Sequence, residues 1–427
     1  MDRIITPARI LRGRIRIPGD KSISHRALIL GALARGDTRI SHPLLGEDVR
    51  STRRCLEQAG IRISEKSGNL IVHGRGMGGW RAPASPLDCG NSGTTMRLLS
   101  GILAAMPFRS TLVGDASLSR RPMKRIIDPL GRMGAKITAA AEGTAPLEID
   151  GTRLSPIDYI TPVASAQIKS CVLLAGLFAD GTTSVTEPSL SRDHTERMLR
   201  GFGVDVSREG LRVSVTGPAV LQGCEVDVPG DISSAAFFLI AASLLPDSEI
   251  RLENVGLNPS RTGILEVLDE MGADIERTSE REINGEPRAD LIVRSARLKG
   301  TVIEGPMIPT LIDEIPILAV AAARAEGRTE FRNAGELRVK ETDRIAAIAS
   351  NLESMGVRVD IQEDGFVIEG PQTLHGADIE TFQDHRIAMS FAVAGLAAQG
   401  GTRIRNAECA EISYRGFYET LGGLIHG

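Results

Sequence analysis

The sequence predicts an α/β (α+β) protein of two domains. Three observations lead there: an internal sixfold repeat, a second symmetry that splits the copies three and three, and enough apolar residues to fill a core in each half. Of its 427 residues 42% are hydrophobic before the 46 glycines are counted, so two or three cores can form and disorder is excluded.

Copies recur every roughly 65 to 85 residues, longer than a solenoid unit but following the same logic. Each opens with an almost uncharged run: RALILGALA from Arg26, MRLLSGILAA from Met96, IKSCVLLAGLFA from Ile168, SAAFFLIAASLL from Ser234, IPILAVAAA from Ile315 and IAMSFAVAGLAA from Ile387. A segment apolar on every side and about ten residues long suits a buried helix. A turn and a short strand signal follow most of them, in GDTRI at Gly36, GTTSVTE at Gly181, GRTEFRN at Gly327 and GTRIRN at Gly401. Next comes an amphipathic helix stopping on a glycine suited to a C-cap, at Gly134, Gly203, Gly272 and Gly356. The strand signals AKIT, VDVS, ADIE and VRVD come after it. The repeating unit is therefore strand, helix, strand, helix, strand, strand, with one helix buried and one facing water.

The segment IPGD at Ile17 to Asp20 returns as VPGD at Val228 to Asp231, each opening a buried helix and each followed by three copies. Pro-Gly marks a turn, so interdomain crossings are expected near 17–20 and 228–231. One domain then spans 20–229 with repeats 1 to 3, and the other combines 1–19 with 230–427 and holds repeats 4 to 6.

Lys+Arg number 50 against 54 Asp+Glu, a net charge of -4, which leaves no basic footprint for nucleic acid. An anionic ligand needs a local cluster instead. Cys55, Cys89, Cys171, Cys224 and Cys409 form an odd, scattered set without a CxxC pair, as reduced thiols in a cytoplasmic protein do. The seven histidines show no metal-ligand spacing, so no metal site is expected. The N-terminal MDRIITPARI lacks an apolar export segment and no uncharged run is long enough to span a bilayer, so no membrane partner is expected.

Polar residues that look out of place collect ahead of the buried helices: Asp20, Lys21, Ser22 and Arg26; Asn91, Ser92, Gly93 and Thr94; Ser165 and Gln167; Asp313; Asp384, His385 and Arg386. Helix N-termini carry free N–H groups and the positive dipole end, and several aimed at one cleft bind anions. Arg120, Arg121, Arg192, Lys340 and Arg344 lie near the starts of amphipathic helices, which suits a small polyanion bearing phosphate and carboxylate groups. Ordinary roles stand beside these. Ser, Asn and Asp at helix starts are commonly plain N-caps, Asp313 next to Glu314 could cap a helix, and His385 could be structural.

Eight segments, GDKSISHR at Gly19, GNSGTTMR at Gly90, GDASLSRRPM at Gly114, SAQIK at Ser165, SRDHTE at Ser191, LIDEIP at Leu311, LRVKETDR at Leu337 and DHRIAMSF at Asp384, resemble in order and spacing those of the EPSP synthase (3-phosphoshikimate 1-carboxyvinyltransferase) family. The chain is most similar to the bacterial class II branch, which carries GDKS, SAQxK and RxHxE; the fourth mark, NxTR, stands here as NPSR at Asn258. The resemblance implies a two-domain inverse α/β barrel-like enolpyruvyltransferase fold, with three βαβαββ repeats per domain around buried parallel helices, closing on substrate. It implies transfer of the enolpyruvyl group of phosphoenolpyruvate to the 5-hydroxyl of shikimate 3-phosphate, in chorismate and aromatic amino acid biosynthesis. No cofactor, metal or macromolecular partner is implied, and the chain is expected to act as a monomer.

By motif, the resemblance implies that Lys21, Arg121, Arg344 and Arg386 hold phosphoenolpyruvate, with Asn91, Gly93, Thr94, Gln167 and His385 lining its site. Lys21, Ser22, Arg26, Ser165, Ala166, Gln167, Arg192, Asp313 and Lys340 would hold shikimate 3-phosphate. Asp313 would accept the 5-hydroxyl proton, while Glu341 and Lys21 exchange the methylene proton. Three positions depart from the class I pattern: Ala166 for a second phosphate-binding serine, Glu336 for an asparagine, and Glu411 near the place of a phosphoenolpyruvate-binding lysine.

Two rivals remain. A UDP-N-acetylglucosamine enolpyruvyltransferase should carry a loop cysteine, and SLSRRPM has none. A silent polyanion-binding repeat protein should have lost Lys21, Asp313 or Glu341, and all three are present.

The resemblance also makes Gly93 the position that admits glyphosate, a longer phosphoenolpyruvate-like anion, where some resistant class II members carry alanine. Inhibition competitive with phosphoenolpyruvate is expected, softened by Leu98 where class I members usually have proline. Gly93→Ala should weaken glyphosate far more than phosphoenolpyruvate. Inhibition curves check this; a resistant wild type, or a variant losing both ligands equally, removes Gly93 as the discriminating position.

Overall fold

A helix without a polar face must be enclosed, and six segments meet that description. In the computed structural model of the protein, which describes residues 1–426, they are Lys21–Leu33, Gly93–Leu103, Ala166–Gly176, Ile232–Leu244, Ile315–Arg324 and His385–Leu396. All twelve residues of His385–Leu396 are buried. The chain divides into two compact units, one of Met1–Pro18, Pro229–Glu282 and Glu286–Gly427, the other of Gly19–Val228 with Ile283–Gly285. Each has three of the six helices at its centre and its own apolar core.

In the 19–228 unit the helices are covered by three four-stranded sheets of one design. Leu87–Asp88 runs parallel to Arg109–Val113, with the helix Gly93–Leu103 as the crossover that a parallel pair requires. Thr144–Asp150 and Lys136–Ala140 then add antiparallel. The sheet Asp158–Ile160, Gly181–Thr186, Arg212–Gly217, Val206–Glu209 repeats the order around the helix Ala166–Gly176. In the remaining sheet the parallel partner of Arg35–Ser41 is Glu225–Asp227, so the last strand of the unit completes its first sheet.

The 229–427 unit uses the N-terminus in the same way. Ile10–Arg16 pairs parallel with Glu249–Gly256, which continues into the hairpin Asp274–Ile283 and Glu286–Arg294. Val302–Ile303, Gly327–Phe331, Phe366–Gly370 and Asp360–Ile361 form the next sheet. The sixth copy departs from the repeat. After Thr402–Ile404 the described residues hold the 3-10 turn Ala407–Ile412 and the short helix Phe417–Gly422 in place of a longer helix and hairpin, and Arg3–Ile5 pairs with Thr402–Ile404 at the sheet edge. The tail's aromatic residues Tyr414 and Phe417 pack against Phe237 and Phe238 of the buried helix Ile232–Leu244.

Amphipathic helices Lys124–Arg132, His194–Gly201, Gly263–Glu270 and Arg344–Ser354 end before Gly134, Gly203, Gly272 and Gly356, which have φ of +96°, +84°, +82° and +85°. That left-handed conformation closes the helix and is cheap only for glycine. No single helix among the described residues is long and apolar enough to cross a membrane.

The close approach of Gly93–Leu103 to Ala166–Gly176 depends on Gly101, where a Cβ would lie 2.3 Å from the Cys171 carbonyl oxygen. Backbone cannot yield as a side-chain end can. Gly101→Ala should therefore cost on the order of 1–3 kcal/mol, read as a lower midpoint in urea or thermal unfolding; an unchanged midpoint would show that the helix pair shifts without strain.

Candidate active site

The buried helices leave their first N–H groups without intrahelical partners, and in five of the six an acidic or hydroxyl side chain accepts one of them, the exception being Ile315–Arg324. In the 19–228 unit Asp20 accepts from the Ile23 amide at 2.8 Å, Ser92 from Thr95 at 3.1 Å and Ser165 from Ile168 at 3.4 Å. Ser165, one of the substrate residues implied by the resemblance, is thus also a cap, as are Ser92 and Asp20. Lys21 opens its helix and pairs with Asp48 at 3.2 Å. One turn on, the buried Arg26 donates to Thr195 at 2.6 Å, Ser170 at 2.8 Å and the Ser22 carbonyl at 3.0 Å. Arg192 reaches the Ser22 hydroxyl at 3.4 Å. Lys21, Ser22, Arg26 and Arg192 therefore form one cationic cluster, while His25 beneath them is pushed well below the usual histidine range by burial and by Lys21 and Arg26.

A second cluster gathers on the helix Gly93–Leu103. Asn91 accepts from Arg121 at 2.6 Å and donates to Asp115 at 2.7 Å, so it orients the guanidinium. Thr94 accepts from Gln167 at 3.0 Å, and the Gln167 carbonyl accepts from Arg97. A Cβ at Gly93 would stand 3.0 Å from one Arg97 nitrogen and 3.5 Å from one of Arg121, so a methyl there presses on guanidinium ends that can give slightly. Ala166 is the first residue of its helix, beside Gln167.

In the 229–427 unit the centre is Arg344, whose side chain is 1% exposed. Its Nε donates to Asp384 at 2.8 Å, Nη1 to Asp313 at 3.2 Å and Nη2 to Glu341 at 2.8 Å. Burial pulls this guanidinium toward losing its charge; the carboxylates of Asp384, Glu341 and Asp313 overcome that and raise its pKa. Lys340 lies 3.6 Å from Asp313. Asp384 also caps its helix through the Arg386 amide at 2.8 Å, and the two residues before it, Phe382 and Gln383, are held in the left-handed region with φ of +51° and +58°. Backbone strain of this kind persists where the surroundings enforce it. Arg386 sits 3.6 Å from the buried Glu314. Glu314 accepts from Ser233, which also receives Arg261 at 2.6 Å. His385 is buried at the same helix start. Glu411 is engaged with the Gly416 amide at 3.0 Å. No three His, Cys, Asp or Glu among the described residues gather as a metal site.

Three further residues stand at the site beyond those named from the motifs: Asp48 pairs with Lys21, Arg97 donates to Gln167, and Arg261 connects through Ser233 and Glu314 to Arg386. For Arg97 a signal existed: one charge in an otherwise apolar helix has to find partners.

The chain matches the family EPSP synthase (3-phosphoshikimate 1-carboxyvinyltransferase) over residues 5–421. It is 57% identical over 422 residues to the 3-phosphoshikimate 1-carboxyvinyltransferase of Synechocystis sp., covering 98% of this chain and 94% of that one. The protein of the same description from Desulforamulus reducens is 50% identical across 100% of both chains. Among solved structures, EPSP synthase from Acinetobacter baumannii superposes with a TM-score of 0.89 at 47% identity, over 99% of this chain and 98% of that one. The enolpyruvyl transferase NikO from Streptomyces tendae has a TM-score of 0.78 at 22% identity, over 99% of this chain and 96% of that one, and shares the fold. With a match running nearly end to end and half or more of its residues shared with these relatives, the chain belongs to the EPSP synthase family, the 3-phosphoshikimate 1-carboxyvinyltransferases.

Proposed function

We propose that the clusters described above divide the family's reaction between anchoring of two anions and handling of protons. The reaction moves the enolpyruvyl group of phosphoenolpyruvate to the 5-hydroxyl of shikimate 3-phosphate and releases phosphate. A proton adds to the methylene carbon of phosphoenolpyruvate, making C2 electrophilic. The 5-oxygen bonds to C2 and gives up its proton. A methyl proton and the phosphate then leave, regenerating the double bond.

Arg26, Arg192, Ser22, Ser165, Ala166, Gln167 and Lys340 take the acceptor, whose phosphate suits a pair of arginines. Arg121, Arg386, Lys21, Asn91, Gly93, Thr94, His385 and Arg344 take phosphoenolpyruvate. Asp313 receives the 5-hydroxyl proton, and Glu341 with Lys21 moves the methylene proton. The observation that carries this reading is the Arg344 fork. One rigid guanidinium holds Asp313 and Glu341 on separate nitrogens, at 3.2 Å and 2.8 Å, so that two carboxylates with different tasks keep a set spacing. A substrate carboxylate reaching Arg344 must share that guanidinium with them. A monomer working in the cytoplasm completes the proposal; the location is supported by five cysteines that are all free thiols.

Asp313→Ala and Glu341→Ala should each lower turnover by on the order of a hundredfold or more, a loss larger than any weakening of shikimate 3-phosphate binding, because a general acid or base acts mainly in the transition state. Steady-state rates beside calorimetric titration separate the two quantities, and near-wild-type turnover in either variant removes its role. Phosphate release from phosphoenolpyruvate should require shikimate 3-phosphate. Release without it, or with UDP-N-acetylglucosamine in its place, overturns the assignment.

A further inference from the structure

Lys169 is a charge in the wrong place for an ordinary lysine. It lies in the otherwise uncharged buried helix Ala166–Gly176 with its side chain fully enclosed. Its ammonium stands 2.7 Å from Glu187 and 2.8 Å from Glu196, which are themselves buried. Replacing such a buried ion group by apolar residues of similar volume is often neutral or stabilising, so stability alone is weak ground for its presence.

What the three groups grip is informative. Lys169 donates to the Ser191 carbonyl at 3.4 Å, and Glu187 accepts from the Ser191 hydroxyl. Ser191, one residue before Arg192, is thereby held at two points, its carbonyl and its side-chain hydroxyl. The neighbours of Lys169 and Glu196 in the chain are Ser170 and Thr195, which bond each other at 2.6 Å and receive Arg26 at 2.8 Å and 2.6 Å. Both arginines assigned to the acceptor phosphate thus hang from one buried triad that ties together the end of a strand, Gly181–Thr186, and two helices.

We propose that Lys169, with Glu187 and Glu196, is a positioning element that sets Arg26 and Arg192 for the phosphate of shikimate 3-phosphate. The proposal rests on the function assigned above. Acceptor-dependent phosphate release by the wild type is therefore measured first, and its failure counts against that function rather than against the triad.

The triple variant Lys169→Met, Glu187→Met, Glu196→Met removes every charge of the triad and replaces it with apolar side chains of nearly the same volume. It should keep a wild-type thermal midpoint, raise KM for shikimate 3-phosphate roughly tenfold, and leave kcat and KM for phosphoenolpyruvate within about twofold. A stable triple variant with wild-type KM for shikimate 3-phosphate overturns the proposal. So does an equal loss in all three parameters, which marks general damage. Should the triple variant not fold, Ser191→Ala breaks only the hydroxyl link; it should raise the same KM about threefold, and no change there also overturns the proposal.

Discussion

Six helices with no polar face have to be enclosed, since each Å² of apolar surface left in water costs about 25 cal/mol. Everything else in each unit follows from enclosing three of them. Sheets are pushed to the outside, and every parallel strand pair is the entry and exit of a buried helix or the return of a chain end. The helix sides are spoken for, so only their starts carry polar chemistry. That is why the caps Asp20, Ser92, Ser165 and Asp384 are sequence neighbours of Lys21, Gly93, Gln167 and Arg386.

The chemistry of this family uses two small polyanions, and a chain with a net charge of -4 cannot gather them by overall attraction. It concentrates cations locally and supports each with buried or half-buried partners. Arg344 has three carboxylates, Arg26 has two hydroxyls and a carbonyl, and Arg121 has Asn91. A guanidinium held in this way loses little freedom when an anion arrives, and its planar fork matches phosphate and carboxylate. The class II marks take on a physical sense here. SAQxK and RxHxE supply Lys169 and Glu196, the two ends of one buried ion pair, and NPSR supplies Arg261, which reaches Arg386 through Ser233 and Glu314.

Most of the architecture was legible in the sequence because it follows from local rules. The uncharged runs became the six buried helices, and Gly134, Gly203, Gly272 and Gly356 became left-handed helix ends, since no other residue adopts that φ cheaply. The substrate residues were reachable only through family motifs, because a serine before a helix reads equally as a cap, and Ser165 is in fact one. The sixth copy read as a repeat by its buried helix and its strand, yet among the described residues a short turn and the six-residue helix Phe417–Gly422 stand where the second helix and hairpin of the other copies lie.

By itself, then, the sequence determined which segments are buried, where helices stop, and that a cationic site is built at helix starts; these depend on residues close together in the chain. The tertiary structure alone decided the pairings. Arg344 meets Asp313 and Asp384 across 31 and 40 residues, Arg26 meets Thr195 across 169, and Arg3–Ile5 closes a sheet with Thr402–Ile404. Such contacts are set by how the sheets and the enclosed helices bring distant segments together, and periodicity along a chain carries no record of them.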